Sequence, residues 1–285
     1  MSIVLNSNLV DSFAMSSLLF HPNPSHQQHT PLFNRNFTPR YLYRLVVHQT
    51  TGPTTTSNVV PPTSTQPQTD IFHLPTQEAA TLLFNHLCGK ENGLNLTSWT
   101  SSLVFTLQYA LYRYQKDGND LNRVQLIILD TTLFPKGTFM QDMEIMRSLA
   151  QGDERLQTFV KFRESKYYFG EYISRGGLQD RCVCTSMQKM IDLGLFQLQP
   201  LLADRTKWQQ LPKEVLAFRE QFTCGKPLPT PDAHVEIAVD IARQCFGAQW
   251  AVSVAIMLLA LLPREVNDMA ISEGFKSRFS GKPGT

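Results

Sequence analysis

Up to about Phe37 the chain is polar, rich in Asn, Ser, His and Pro, and shows no periodic apolar face. Residues 1–38 are therefore expected to be disordered. The first regular pattern is RYLYRLVVH, Arg40 to His48. Its alternation sets Leu42, Arg44 and Val46 on one face and Tyr41, Tyr43, Leu45 and Val47 on the other, the period of a strand. The Thr/Pro-rich run from Gln49 to Asp70 has too little to bury and reads as a long mobile loop over 49–70. From Thr76 the period changes. Ala79, Leu82, Leu83 and Leu87 share one helical face, and Gly89 stops the helix. Next, LNLTSW opens as a short strand or turn, and a helix follows from about Ser102, with Leu103, Leu107, Ala110, Leu111 and Tyr114 as its stripe. RVQLIILDTT, Arg123 to Thr132, is apolar on both faces, as an inner strand is. After the turn FPKG, a helix over Glu154 to Arg163 leads into the β-rich KYYFGEYI. Beyond Thr185 the spacing is helical: Ser186 to Leu193, Pro212 to Phe222, Asp232 to Phe246, Ala248 to Leu262 and Glu265 to Phe275. The expected fold class is α+β, with one domain over 39–200 and a C-terminal α-helical extension over 201–285.

Composition narrows the function classes. The chain has 285 residues, 42% of them hydrophobic, which is enough for a substantial core. The formal net charge is +2 and no run of like charges occurs, so the electrostatic footprint of a nucleic-acid binder is missing. Five cysteines at irregular spacing do not form a disulfide framework. Cys182 and Cys184 are too close in sequence for a zinc pair and have no matching second pair, so no metal site is expected. The N-terminus lacks the charge and apolar run of a secretory signal. The longest apolar run, Trp250 to Leu262, is shorter than the ~20 residues of a membrane span and reads as a buried helix. A cytoplasmic or nuclear location with reduced thiols follows as the expectation.

The residues with chemical potential are few. YYFGEYISRGG places an acid, Glu171, among aromatic residues and glycines. A carboxylate there needs a partner, because desolvating an unpaired charge costs several kcal/mol. Upstream stand Arg44 on the first strand and the hydroxyl cluster Thr100, Ser101 and Ser102 before the long helix. This order resembles the arginine–serine–glutamate class of mono-ADP-ribosyltransferases, the class of the heat-labile enterotoxins. Members carry an arginine after an aromatic residue on the first strand and a Ser-Thr-Ser motif leading into a helix. An apolar strand and a catalytic glutamate ahead of a glycine-containing turn complete the pattern. The resemblance implies an ADP-ribosyltransferase-like mixed sheet, NAD as substrate and a protein acceptor. It makes Glu171 the catalytic acid and Arg44, Thr100, Ser101 and Ser102 the NAD-binding set. Cleaving the nicotinamide–ribose bond builds positive charge on the ribose, which a carboxylate stabilises. A guanidinium matches phosphate oxygens with a planar fork of donors. The hydroxyl element here reads Thr-Ser-Ser. Phe169 stands where arginine-modifying members have Glu or Gln, which argues against an arginine acceptor.

A broader resemblance covers most of residues 39–265. PRYLYR, SWTSSLVFTLQYALYR, DTTLFPKGTF, YYFGEYIS and FGAQWAVSVAIMLLALLPR look like a domain of filamentous-fungal proteins. It implies a fold unit and no activity. Each candidate also has a structural role open to it. Arg44 suits an ion pair, with Glu171 itself as one partner. Thr100 to Ser102 suit a helix N-cap. The aromatic residues suit strand packing. A transferase or glycohydrolase acting on NAD and a non-catalytic interaction domain on the same scaffold are thus both open, the second using exposed apolar residues of Ala248 to Leu262.

Overall fold

A computed structural model describes residues 18–22, 38–47, 59, 69–90, 94–118, 120–178 and 181–279. The fold is α+β. Six strands form one sheet in the order β4-β5-β2-β1-β3-β6: β1 Tyr41–Val47, β2 Leu96–Thr100, β3 Val124–Asp130, β4 Phe139–Gln141, β5 Glu171–Arg175 and β6 Cys182–Ser186. The β1–β2, β2–β5 and β4–β5 pairs are antiparallel. Ten α-helices are described: α1 Thr76–Leu87, α2 Leu103–Asp117, α3 Asp142–Leu149, α4 Glu154–Arg163, α5 Met187–Asp192, α6 Leu195–Leu198, α7 Leu211–Cys224, α8 Asp232–Phe246, α9 Ala251–Leu259 and α10 Met269–Phe279.

The chain divides into two compact units, and no single boundary separates them. The first is Met1–Arg44, Thr50–Ser102 and Ile128–Cys182, and the second is Leu45–Gln49, Leu103–Ile127 and Val183–Thr285. β1, β3 and β6 give residues to both. In this division α2, early in sequence, groups with the C-terminal helices.

In the first unit, strand alternation sends Leu96, Met140 and Ile173 into one apolar cluster with Ala79, Ala80 and Leu83 of α1 and Ile145, Met146 and Leu149 of α3. α4 adds Leu156 and Val160. Burying an aliphatic side chain of this size stabilises by about 1.5–3 kcal/mol. The opposite side chains pack separately. Trp99 meets Phe139 edge-on at 6.2 Å, and its indole N–H donates to the Ser174 hydroxyl at 2.9 Å.

Helix α3 and strand β4 are additions to the sequence reading. Their signal lay in TFMQDMEIMRSL, where Met143, Met146 and Ile145, Leu149 follow helical spacing behind an acidic first turn. Leu18–Pro22 is a correction: it is ordered within the stretch expected to be disordered, with Leu18 and Phe20 buried. Residues 1–17 and 23–37 lie outside the described residues. The loop expected over 49–70 also lies mostly outside them, except that Val59 bridges Leu178 and Asp70 is buried.

The second unit is helical apart from its strand residues. α8 packs on α9, α10 and α6, and α2 packs on α7. Tyr114 of α2 lies edge-on against Trp208 at 5.7 Å. The buried Gln199 amide donates to the Leu261 carbonyl at 2.8 Å, just beyond α9. Among the described residues no helix is long and apolar enough to cross a membrane.

Candidate functional site

The site around Glu171 is organised by strand register. Tyr43 stands opposite Thr100, and Thr100 stands opposite Glu171. One row across β1, β2 and β5 is therefore Tyr43–Thr100–Glu171, so Thr100 and Glu171 emerge side by side on one face.

The hydroxyl cluster is engaged with backbone. Thr100 Oγ1 donates to the Phe169 carbonyl at 2.7 Å and accepts the Ser102 amide at 3.1 Å. Ser101 donates to the Gly170 carbonyl twice, from its amide at 2.7 Å and from its hydroxyl at 3.2 Å. These bonds tie the end of β2 to the turn that launches β5. Gly170 has φ +69°, and a Cβ there would lie 2.1 Å from Ser101 Oγ. Only glycine fits both the backbone angle and the approach.

Glu171 has a partner that the sequence reading did not name. The Arg163 guanidinium, at the end of α4, contacts Glu171 Oε2, and its Nη1 lies 3.7 Å from Asp142 Oδ2. Side-chain exposure is 10% for Arg163, 18% for Glu171 and 0% for Asp142. Two acids thus share one enclosed guanidinium. Burial pushes the Asp142 carboxyl up to about 6, against the pull of Arg163. Burial also pulls Arg163 down from the usual guanidinium range, although Asp142 opposes this. Tyr168 closes the group, its hydroxyl donating to the Glu171 carbonyl oxygen at 3.2 Å. Burial foremost pushes that phenol up.

Arg44 reaches β2 at a different residue, Ser98. Tyr43 holds the position in the row, and Arg44 is the next residue along β1. Arg44 Nη1 donates to the Ser98 carbonyl at 2.8 Å. On the same residue, Ser98 Oγ lies 2.9 Å from His86 Nε2. His86 is half-buried. Burial, with the Arg44 charge adding to it, pushes His86 down to about 4 and keeps it neutral at pH 7. The hydroxyl cluster and the acid come together where β2 pairs with β5, and Arg44 meets the Ser98 carbonyl and adds its charge at His86.

Arg163, Asp142 and His86 were missed for a physical reason. Each is an ordinary helix residue by pattern, at a C-terminus, an N-terminus and in a last turn. Only the arrangement of helices over the sheet brings them to β2 and β5. Elsewhere a shallow cleft is lined by Pro75, Gln77, Glu78, Thr81 and Leu82, and it contains none of the candidate residues. The cysteines are free, and among the described residues no group of three or more His, Cys, Asp and Glu could hold a metal ion. Comparison with protein-family models, with curated proteins and with solved structures finds no match to this chain.

Proposed function

We propose that this protein is a non-catalytic interaction module whose partner-binding face is the outer side of α9. The observation that carries this reading is the exposure of Val252 and Ile256, one helical turn apart on the helix, at 43% and 52%. The inner residues of the same helix, Ala251, Val254, Ala255, Leu258 and Leu259, are buried. Exposed apolar side chains one turn apart are what a partner helix or groove takes up. The engagement of Glu171 by Arg163 agrees with this, because the candidate acid faces a cation that it shares with Asp142. The test is a photo-crosslinking residue placed at Ile256 in cells. A discrete protein adduct that Val252→Asp abolishes supports the module. Adducts no different from those formed at the exposed Glu265 position would overturn it.

A second reading is favoured by the Thr100–Glu171 pairing, which sets a hydroxyl beside the acid. In it the protein is an NAD-dependent mono-ADP-ribosyltransferase or NAD glycohydrolase. Glu171 would stabilise the positive charge on the ribose as nicotinamide leaves, and Thr100 would orient it. The cation beside the acid would be Arg163, with Arg44 one position out of the row. Nicotinamide release by the wild type, lost in Glu171→Gln, supports this reading. No release and no NAD binding at millimolar cofactor removes it.

A further inference from the structure

Residues Leu18–Pro22 read Leu-Leu-Phe-His-Pro. They meet residues far along the chain, and they do so through a buried charged pair. Asp70 Oδ2 accepts the His21 amide at 2.7 Å and lies 3.2 Å from His21 Nδ1. Arg175 Nη1 donates to the Leu19 carbonyl at 2.9 Å and to Asp70 Oδ2 at 3.0 Å. One acidic and one basic side chain thus read a backbone N–H and a backbone C=O two residues apart. An extended peptide presents groups in this way along one edge. Asp70 is 2% exposed and Arg175 is 5% exposed. A buried ion pair stabilises only when further hydrogen bonds complete it, and the segment's backbone supplies such bonds.

The side chains are read as well. Phe20 is buried edge-on against Phe72, with centroids 6.1 Å apart. Leu18, two residues earlier, is also buried. Leu19 lies over Gly137, where even a Cβ would touch its Cδ2 at 3.8 Å. The His21 ring stacks on His73 at 6.3 Å. Together these fit an aliphatic residue, then any residue, an aromatic residue and a histidine.

We propose that Asp70, Phe72, His73 and Arg175 form a peptide-recognition site, and that Leu18–Pro22 occupies it as a tethered, exchangeable ligand. The ligand class is an extended peptide of the pattern Leu-x-Phe-His. Tethering makes occupation intramolecular, so a peptide in trans competes against a high effective concentration. The proposal uses neither the α9 face nor Glu171 and stands or falls without either.

The test uses the full chain and a fluorescent peptide spanning residues 15–25. Phe20→Ala weakens the tethered ligand and leaves the site's own residues intact. The Phe20→Ala chain is expected to bind the peptide saturably and at least tenfold more tightly than the wild type does. Adding Arg175→Met is expected to abolish that binding, and a peptide with alanine in place of its phenylalanine is expected not to bind. A cooperatively folded Phe20→Ala chain that ignores the peptide, or that binds it no better than the wild type, would overturn the proposal. Amide exchange on the wild type gives an independent reading should Phe20→Ala fail to fold. The Phe20 and His21 amides are expected to exchange at least tenfold faster than that of Ile173 in β5. Exchange at the same rate as Ile173 would make the segment a fixed part of the core and end the proposal.

Discussion

Arg163 is the partner of Glu171, and the same guanidinium faces Asp142. The charge ledger of the group is one cation to two acids in an enclosed space. Arg163→Met keeps most of the side-chain volume and removes the cation. It leaves the buried Asp142 and the half-buried Glu171 without their shared counter-ion, and breaking such a group costs roughly 3–5 kcal/mol. The expected result is a loss of that order in urea unfolding at pH 7. Arg44→Met, which removes the bond to the Ser98 carbonyl and leaves no carboxylate of this group without its cation, is expected to cost about 1.5–3 kcal/mol. Equal costs for the two variants would show that Arg163 does not hold the acids.

The turn into β5 depends on Gly170 fitting against Ser101. Gly170→Ala meets two separate obstacles, a left-handed backbone angle and a Cβ 2.1 Å from the Ser101 hydroxyl. The first costs about 1–2 kcal/mol for an L-residue. The second forces the hydroxyl off the Gly170 carbonyl or shifts the strand. Gly170→Ala is therefore expected to lose more than about 2 kcal/mol in chemical denaturation. Ser101→Ala in the same background is expected to recover only the steric part. Full recovery by Ser101→Ala would show that the backbone angle carries no strain.

What could be read from the sequence follows the range of the signal. α4 and α8 start and stop where their patterns place them, Glu154–Arg163 and Asp232–Phe246, because helical spacing and flanking punctuation are local. β3 was legible from its continuous apolar run. The apolar run from Trp250 became a helix buried on one side, with Val252 and Ile256 left outside. Leu18–Pro22 was not legible, since five residues in a polar stretch carry no period. Their anchors, Asp70 and Arg175, lie 49 and 156 residues away from the groups they bind. The candidate site was legible in part for the same reason. Glu171 in an aromatic strand demanded a partner, and it has one. That the partner is Arg163 depends on where the end of α4 meets β5, which no local pattern shows.

The α9 face gives a prediction about association that leaves folding aside. Ile256→Glu replaces a half-exposed apolar side chain and is expected to change stability by less than about 0.5 kcal/mol, as surface substitutions do. Ala255→Glu, one position away and buried, is expected to unfold the helix's packing and lower the melting temperature by several degrees. Paired thermal melts check this. An Ile256→Glu chain as unstable as Ala255→Glu would mean that the outer face is packed and not available to a partner.

A half-buried histidine, His86, and a buried acid, Asp142, oppose each other in pH dependence, and their opposition is measurable. His86 is pushed down to about 4, so the unfolded chain takes up its proton first as pH falls below about 6.5. Its contribution to stability is present above that value and is lost between about 6.5 and 4. A shift of this size is worth at most about 3 kcal/mol, less where the ring's outer edge meets water. Asp142 has the reverse sign. Its folded value near 6 lies above the ordinary carboxyl value, so the folded chain takes up its proton first. Asp142 therefore adds stability as pH falls from about 6 to 4, again by roughly 3 kcal/mol. In the wild type the two effects largely cancel across that window. Asp142→Asn is expected to expose the histidine limb, so that the variant loses stability steeply on going from pH 7 to pH 4.5. His86→Gln, which keeps a hydrogen-bonding group at Ser98, is expected to expose the acid limb, with stability rising over the same interval. Urea midpoints of the wild type, both single variants and the double variant at the two pH values complete the cycle. If Asp142→Asn leaves the pH slope of the wild type unchanged, Asp142 is ionised in the fold throughout, and the shared guanidinium of Arg163 outweighs its burial.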